Sequence, residues 1–163
     1  MQNSDLLISN RNGVYQIKVS GRANFEYAVP LRNIAKGSGI IKGIVIDLGS
    51  CTAMDSTFMG VLSMIGLKAR RCGATIEVVQ ASEFVRKLLR DLGIAKLFDF
   101  ADELTNPPTE WTTAGGKADM LSTAETVTEA HEKLVEADQS NEAKFSQVIE
   151  FAKKDVERLK GDK

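Results

Sequence analysis

The residues best placed to do chemistry in this sequence are Asp55-Ser56-Thr57, which stand directly ahead of an apolar run, Phe58, Met59, Val61, Leu62, Ile65 and Ala69, spaced at three and four residues. That spacing predicts a helix beginning at Ser56, and taken alone a serine in this position is a helix cap. Nucleophilic chemistry would need a base within hydrogen-bond reach. The single histidine, His131, lies far along the chain among polar residues and reads as an ordinary solvated helix residue, so no triad is visible. Asp47 and Asp55 offer two carboxylates but no third ligand. Asp47 reads as a strand end accepting loop amides, and Asp55 as a charge that favours a helix N-terminus. Cys51 and Cys72 are widely separated, with no histidine near either, which argues against a disulfide framework or a zinc site. The glycine-rich stretch 37–43 leads from a helix into a strand, the reverse of what phosphate cradling requires. The sequence therefore predicts no catalytic residue, no metal and no cofactor.

Hydrophobic periodicity predicts the elements that carry these groups. Leu6–Ser9 and Val14–Val19 read as strands joined through Asn12-Gly13, a hairpin signal. Asn24 can cap a helix ending near Lys36, with Pro30 either kinking it or marking its true start. Ile40–Leu48, with its Ile-Val-Ile run, reads as a central strand buried on both faces. Its carboxyl end leads into Asp55-Ser56-Thr57, the position where open α/β sheets present functional groups. Thr75–Val79 is a further strand, Ser82–Gly93 a capped helix, and Leu97–Phe100 a short last strand. The predicted fold class is α/β, a mixed β-sheet of about five strands packed by three helices, with a C-terminal two-helix extension.

Three segments follow: a domain over residues 1–101, a linker over 102–117 marked by Asn106-Pro107-Pro108 and Gly115-Gly116, and a helical extension over 118–160. In the extension, Leu121, Ala124, Val127, Ala130 and Leu134 form one apolar stripe, and Phe145, Val148, Ile149, Ala152, Val156 and Leu159 another. Stripes of this kind must bury against the domain, a second copy of the chain or a partner.

The 163 residues carry a net charge of −1 that conceals an asymmetry. Residues 1–100 hold 13 Lys and Arg against 8 Asp and Glu, while 101–163 hold 8 against 14, so the acidic tail can lie back on the basic domain or remain separately solvated. The absence of a concentrated basic face argues against direct nucleic-acid binding. No segment approaches the ~20 apolar residues that cross a bilayer, no leader is evident, and free cysteines suit a reducing compartment, so a cytoplasmic location is expected.

The run from Ile46 to Leu62, with Asp47-Leu48 ending a strand and Met54-Asp55-Ser56-Thr57 starting a helix, resembles the central motif of the sulfate transporter and anti-sigma factor antagonist (STAS) domain. Supporting similarities are Ala69-Arg-Arg-Cys-Gly73, Val85-Arg-Lys-Leu-Leu and Leu92-Gly-Ile-Ala-Lys-Leu-Phe98, so the resemblance covers residues 1 to about 100. It implies a non-enzymatic switch in which Ser56, with Thr57 as the adjacent alternative, is phosphorylated by an anti-sigma factor serine kinase. In such a switch the dephosphorylated form binds that kinase, and a PP2C-type phosphatase resets it. It equally implies an alternative, an accessory subunit of a transport ATPase or a stress-signalling assembly. The implied partner-binding residues are Asp55, Ser56, Thr57, Phe58 and Met59. Phe58 replaces the family's glycine and Met59 its leucine, and the phenyl ring either packs as core or stands out as a partner anchor. The tail lies outside the resemblance and leaves self-association open.

Overall fold

The computed structural model describes residues 5–104, 107–108, 110–114 and 118–161. Strands β1 (Asp5–Arg11) and β2 (Val14–Ala23) form an antiparallel hairpin. Its turn places Asn12 at φ 56° and Gly13 at φ 90°, the left-handed pair that a two-residue hairpin loop demands. Helix α1 (Phe25–Lys36) is capped by the Asn24 side chain, which accepts from the Glu26 amide. The helix runs through Pro30, which is therefore not its start.

Strand β3 (Gly43–Met54) begins later and ends later than its apolar run implies, because β2 pairs with it in parallel as far as Ala23 opposite Met54, across register shifts. Helix α2 (Ser56–Arg71), strand β4 (Thr75–Val79), helix α3 (Glu83–Asp91) and strand β5 (Asp99–Ala101) complete two more parallel crossovers. A sixth strand, β6 (Thr112–Ala114), pairs antiparallel with β1, so the predicted linker contributes to the sheet, whose order is β5-β4-β3-β2-β1-β6. Of the linker signals, Asn106, Gly115 and Gly116 lie outside the described residues.

The crossovers step in one direction across the sheet, which puts α1, α2 and α3 on a single face. The row Ile8, Ile17, Ile46, Val78 and Phe100 faces these helices. The next row, Ser9, Gln16, Val45, Glu77 and Asp99, lies on the opposite face, with Val45 and Glu77 only half-buried. The central strand is therefore not buried on both faces. Its Ile-Val-Ile run puts two residues into the core and Val45 among polar neighbours.

The stripe of the first C-terminal helix buries against the domain, and that of the second against the first. Helix α4 (Met120–Ala137) packs on α2 and α1, and α5 (Asn141–Gly161) packs on α4 as the outermost layer. Gly60 of α2 is the point of closest approach: a Cβ there would stand 2.3 Å from the Ala130 carbonyl oxygen. The acidic tail does meet the basic domain, since Glu129 pairs with Arg32 and, at 2.6 Å, with Lys36. At the hairpin's hinge the fully buried Asn141 amide donates to the Leu92 carbonyl at 2.9 Å and the Leu134 carbonyl at 2.7 Å. Gly93, at φ 70°, ends the turn after α3, and a side chain there would strike Asp138.

Replacing Asn141 takes the side-chain donor from the buried Leu92 carbonyl, while the Leu134 carbonyl keeps the Asp138 amide at 3.0 Å, so the cost is about 1–3 kcal/mol for one unsatisfied group. Asn141→Ala is expected to lower the urea unfolding midpoint accordingly; an unchanged midpoint would show that the hinge contributes nothing to the fold.

Candidate functional site

The site grows from the end of β3. The Asp55 amide donates to the Ala23 carbonyl at 3.0 Å, tying the entry of α2 to the end of β2. Asp55 is the N-cap: its Oδ1 accepts from the Phe58 amide at 2.8 Å. Capping is thus done by the residue before Ser56, and the serine hydroxyl is released for another partner.

That partner is His131. Ser56 Oγ and His131 Nε2 are 2.7 Å apart, and His131 Nδ1 lies 2.7 Å from the Val127 carbonyl oxygen. A carbonyl only accepts, so Nδ1 carries the proton and Nε2 is the acceptor for the Ser56 O–H. The ring is 2 % exposed and lies edge-on to Phe145, with centroids 5.0 Å apart. Burial pulls the imidazole below its usual pKa, outweighing the Val127 hydrogen bond and the Asp55 charge, which act upward. His131 is therefore a neutral imidazole near pH 7, and the expectation of an ordinary solvated residue is overturned. Its position was legible in one respect: it falls four residues after Val127 and three before Leu134, both on the stripe of α4.

Ser56 is half-buried, while Thr57, Phe58 and Met59 are all buried, with Phe58 at 0 % exposure. Phe58 is core, and the partner-anchor alternative fails because α2 turns that side of its first turn into the domain. Thr57 and Met59 likewise offer no open surface in this arrangement. Of the five expected contact residues, Asp55 and Ser56 keep partial exposure.

A hydroxyl bonded to a neutral imidazole has the first two members of a nucleophile-base array, but the imidazole is oriented by a backbone carbonyl, and the Asp55 carboxylate serves the helix cap. A cleft of about 520 Å³ among α1, α2 and α4 is lined by Lys36, Lys68, Arg71 and Glu129 among others, and neither Ser56 nor His131 lines it. Among the described residues no cluster of three or more His, Cys, Asp or Glu is placed to hold a metal ion. Cys51 and Cys72 are free thiols, and burial pushes the Cys51 thiol pKa up, which keeps it in the unreactive protonated form. No helix among the described residues is long and apolar enough to cross a membrane.

The family model described as "Mlab, STAS domain" matches residues 10–99. The chain belongs to this STAS domain family. Among solved structures, the anti-sigma factor antagonist SpoIIAA in its unphosphorylated form is 14% identical, covers 64% of this chain and 90% of its own, and superposes with a TM-score of 0.50. A putative anti-sigma factor antagonist from Thermotoga maritima is 17% identical, covers 60% and 86%, and has the same TM-score of 0.50. At these identities the likeness establishes a shared fold. No curated protein matches the chain. The STAS match ends before α4, so the histidine that meets Ser56 comes from an element outside the STAS domain proper.

Two outcomes follow from this geometry. His131 has a folded-state pKa below its unfolded value, so its contribution to stability is present above about pH 6.5 and is lost as pH falls toward the lowered value. Burial pushes the Glu129 carboxyl up, but the hydrogen bonds from Arg32 and Lys36 prevail and leave it lowered, so a second loss begins below about pH 4.3. The urea unfolding midpoint should therefore fall from pH 7.5 to 5.5 in the native chain and much less in His131→Gln; identical pH profiles would show that the imidazole is not buried neutral. Phe58→Ala should cost about 3–5 kcal/mol in the same measurement, as removal of a core phenyl does, whereas an exposed anchor would cost almost nothing.

Proposed function

We propose that this chain is a phosphorylation-gated protein-binding switch of the anti-sigma factor antagonist kind. With Ser56 bare it binds an anti-sigma factor serine kinase; phosphorylation of Ser56 releases that partner, and a PP2C-type phosphatase restores the binding form. The observation that carries this reading is the division of labour at the start of α2: Asp55 caps the helix, leaving the Ser56 hydroxyl uncommitted to the backbone at the carboxyl end of the central strand. A phosphoryl group adds ~−1.5 to −2 charges, which the amides and dipole of a helix N-terminus accept without unfolding the scaffold. Burial of Thr57 makes it the lesser acceptor. Asp55 and Ser56 are the contact residues of this reading, and Phe58 supports them from beneath. It is a cytoplasmic role that involves neither a membrane nor direct contact with nucleic acid.

A second reading, a constitutive accessory subunit of a transport ATPase or a stress-signalling assembly, is favoured by the fact that the Ser56 hydroxyl is already occupied by His131. In that role the serine is structural. The two readings separate on a charge substitution. Like-charge repulsion and desolvation of several kcal/mol, at ~1.4 kcal/mol per tenfold, should weaken partner binding ~10²–10³-fold in Ser56→Asp while Ser56→Ala retains it. Equal partner recovery by the two variants in pull-downs would support the subunit instead. Intact-mass measurement of protein from its native host should show one phosphoryl group on Ser56 that phosphatase removes, and its absence under every growth condition would overturn the switch.

A further inference from the structure

We propose that the α4–α5 hairpin is a displaceable cover over Ser56, such that hairpin docking and a phosphoryl group on Ser56 exclude one another. The kinase part of this proposal rests on the switch reading above; the cover itself is a property of the chain alone. Ser56 and Gly60 stand four residues apart on one face of α2, and the adjacent pair Ala130-His131 of α4 meets both. His131 Nε2 sits 2.7 Å from the hydroxyl oxygen, a separation that leaves no space between them for a phosphorus atom and its three further oxygens along that direction. The Phe145 ring of α5 packs against the imidazole, so the covering contact is two helices deep.

Phosphoryl transfer needs a donor phosphorus in line with the attacking oxygen. Here Ser56 Oγ would form the new O–P bond, the bond from the γ-phosphorus of ATP to the bridging oxygen would break, ADP would leave, and the hydroxyl proton would pass to a base of the kinase. With α4 docked, the approach along the hydroxyl's hydrogen-bonding direction belongs to His131. The rate of modification is then the rate for the open chain multiplied by the fraction of chains that are open. The same exclusion acts in reverse: once modified, Ser56 presents a dianion to a neutral buried imidazole and to the Asp55 carboxylate, and α4 cannot reseat on it.

Gly60 supplies a clean way to open the cover. All three nearest neighbours of a Cβ at this position belong to Ala130, two of them backbone atoms at 2.3 and 2.5 Å, so Gly60→Ala pushes on α4 and spares the domain core. Leu134→Asp, at a buried position of α4, opens it from the other side. The test uses the full chain carrying Cys72→Ser and Ser56→Cys, with iodoacetamide labelling of position 56 followed by peptide mass mapping, in the otherwise native background and with each opening substitution. Labelling should accelerate on the order of tenfold or more when either opener is present. Equal rates in all three chains would overturn the cover. In a second arm, chains retaining Ser56 are incubated with ATP and native-host extract, and Gly60→Ala should gain phosphate on Ser56 faster than the native chain. Measurable phosphorylation at the same rate in the two would overturn the mutual exclusion. Protected labelling together with no phosphate on either chain would refute the kinase-switch reading and support the cover as a structural seal.

Discussion

Two helices approach until backbone meets backbone only where the side chains at the crossing are small, and Gly60 against Ala130 is such a crossing. The rest of the C-terminal arrangement depends on it. A larger residue at position 60 would hold α4 off, and His131 could not bring its ring nitrogen to the Ser56 hydroxyl. Close approach also forces polar accounting, because a hydroxyl removed from water must be paired. Asp55 makes the pairing possible by taking over the helix cap, which turns Ser56 from a local capping residue into a contact between distant segments.

The hold on the hairpin is distributed over several weak contacts. The Arg32 side chain is mostly buried beside Glu129, where desolvation offsets much of the attraction between the charges, while the more exposed Lys36 contributes at most the ~0–1 kcal/mol of a surface pair. A neutral hydroxyl-imidazole bond adds about 1 kcal/mol net. Asn141 fixes the hinge to the turn after α3 with two buried hydrogen bonds, and Lys144 and Lys96 donate to the Asp91 and Ala137 carbonyls nearby. Ala130 and Leu134, both fully buried, add apolar burial to the adhesion. A layer held in this way can leave its seat without dismantling the sheet beneath, since the Ile17-Ile46-Val78 row is packed by α1, α2 and α3.

The α/β architecture was legible because its signals are local. Asn12-Gly13 specified the hairpin, Ser82 and Gly93 bracketed α3, and the β-branched runs marked β3 and β4. The sixth strand was not legible: Thr112–Ala114 is three residues long, sits among turn-forming residues, and exists only because β1 presents an edge to it. Val45 misled for a related reason, since an apolar side chain in an Ile-Val-Ile run does not reveal that its cross-strand neighbours are Gln16 and Glu77. At the site, Asp55-Ser56-Thr57 was identifiable from its place ahead of an apolar run, but the choice of which residue caps depends on backbone angles that spacing does not encode. His131 was invisible as a partner because it lies 75 residues away from Ser56, and the contact depends on a hairpin folding back over a domain. Only its place on the stripe of α4 betrayed that it would be buried.

The electrical neutrality of the contact is what lets it respond to chemistry. The Ser56 hydroxyl donates a hydrogen bond to Nε2, His131 Nδ1–H donates to the Val127 carbonyl, and both donors are satisfied while no formal charge lies in the interface between the two side chains. Closing such a seal costs little desolvation, which is why weak contacts suffice to hold it. A charge added to either side changes this balance. A proton on the imidazole must be desolvated at a cost that the Val127 hydrogen bond and the Asp55 charge do not offset, and a dianion on the hydroxyl occupies the place of the imidazole itself. One geometry thus couples the position of α4 to the charge state of two side chains. The coupling requires no deformation of the sheet, because the charge is placed at the amino end of a helix whose remaining turns are fixed by Phe58 and the core below it.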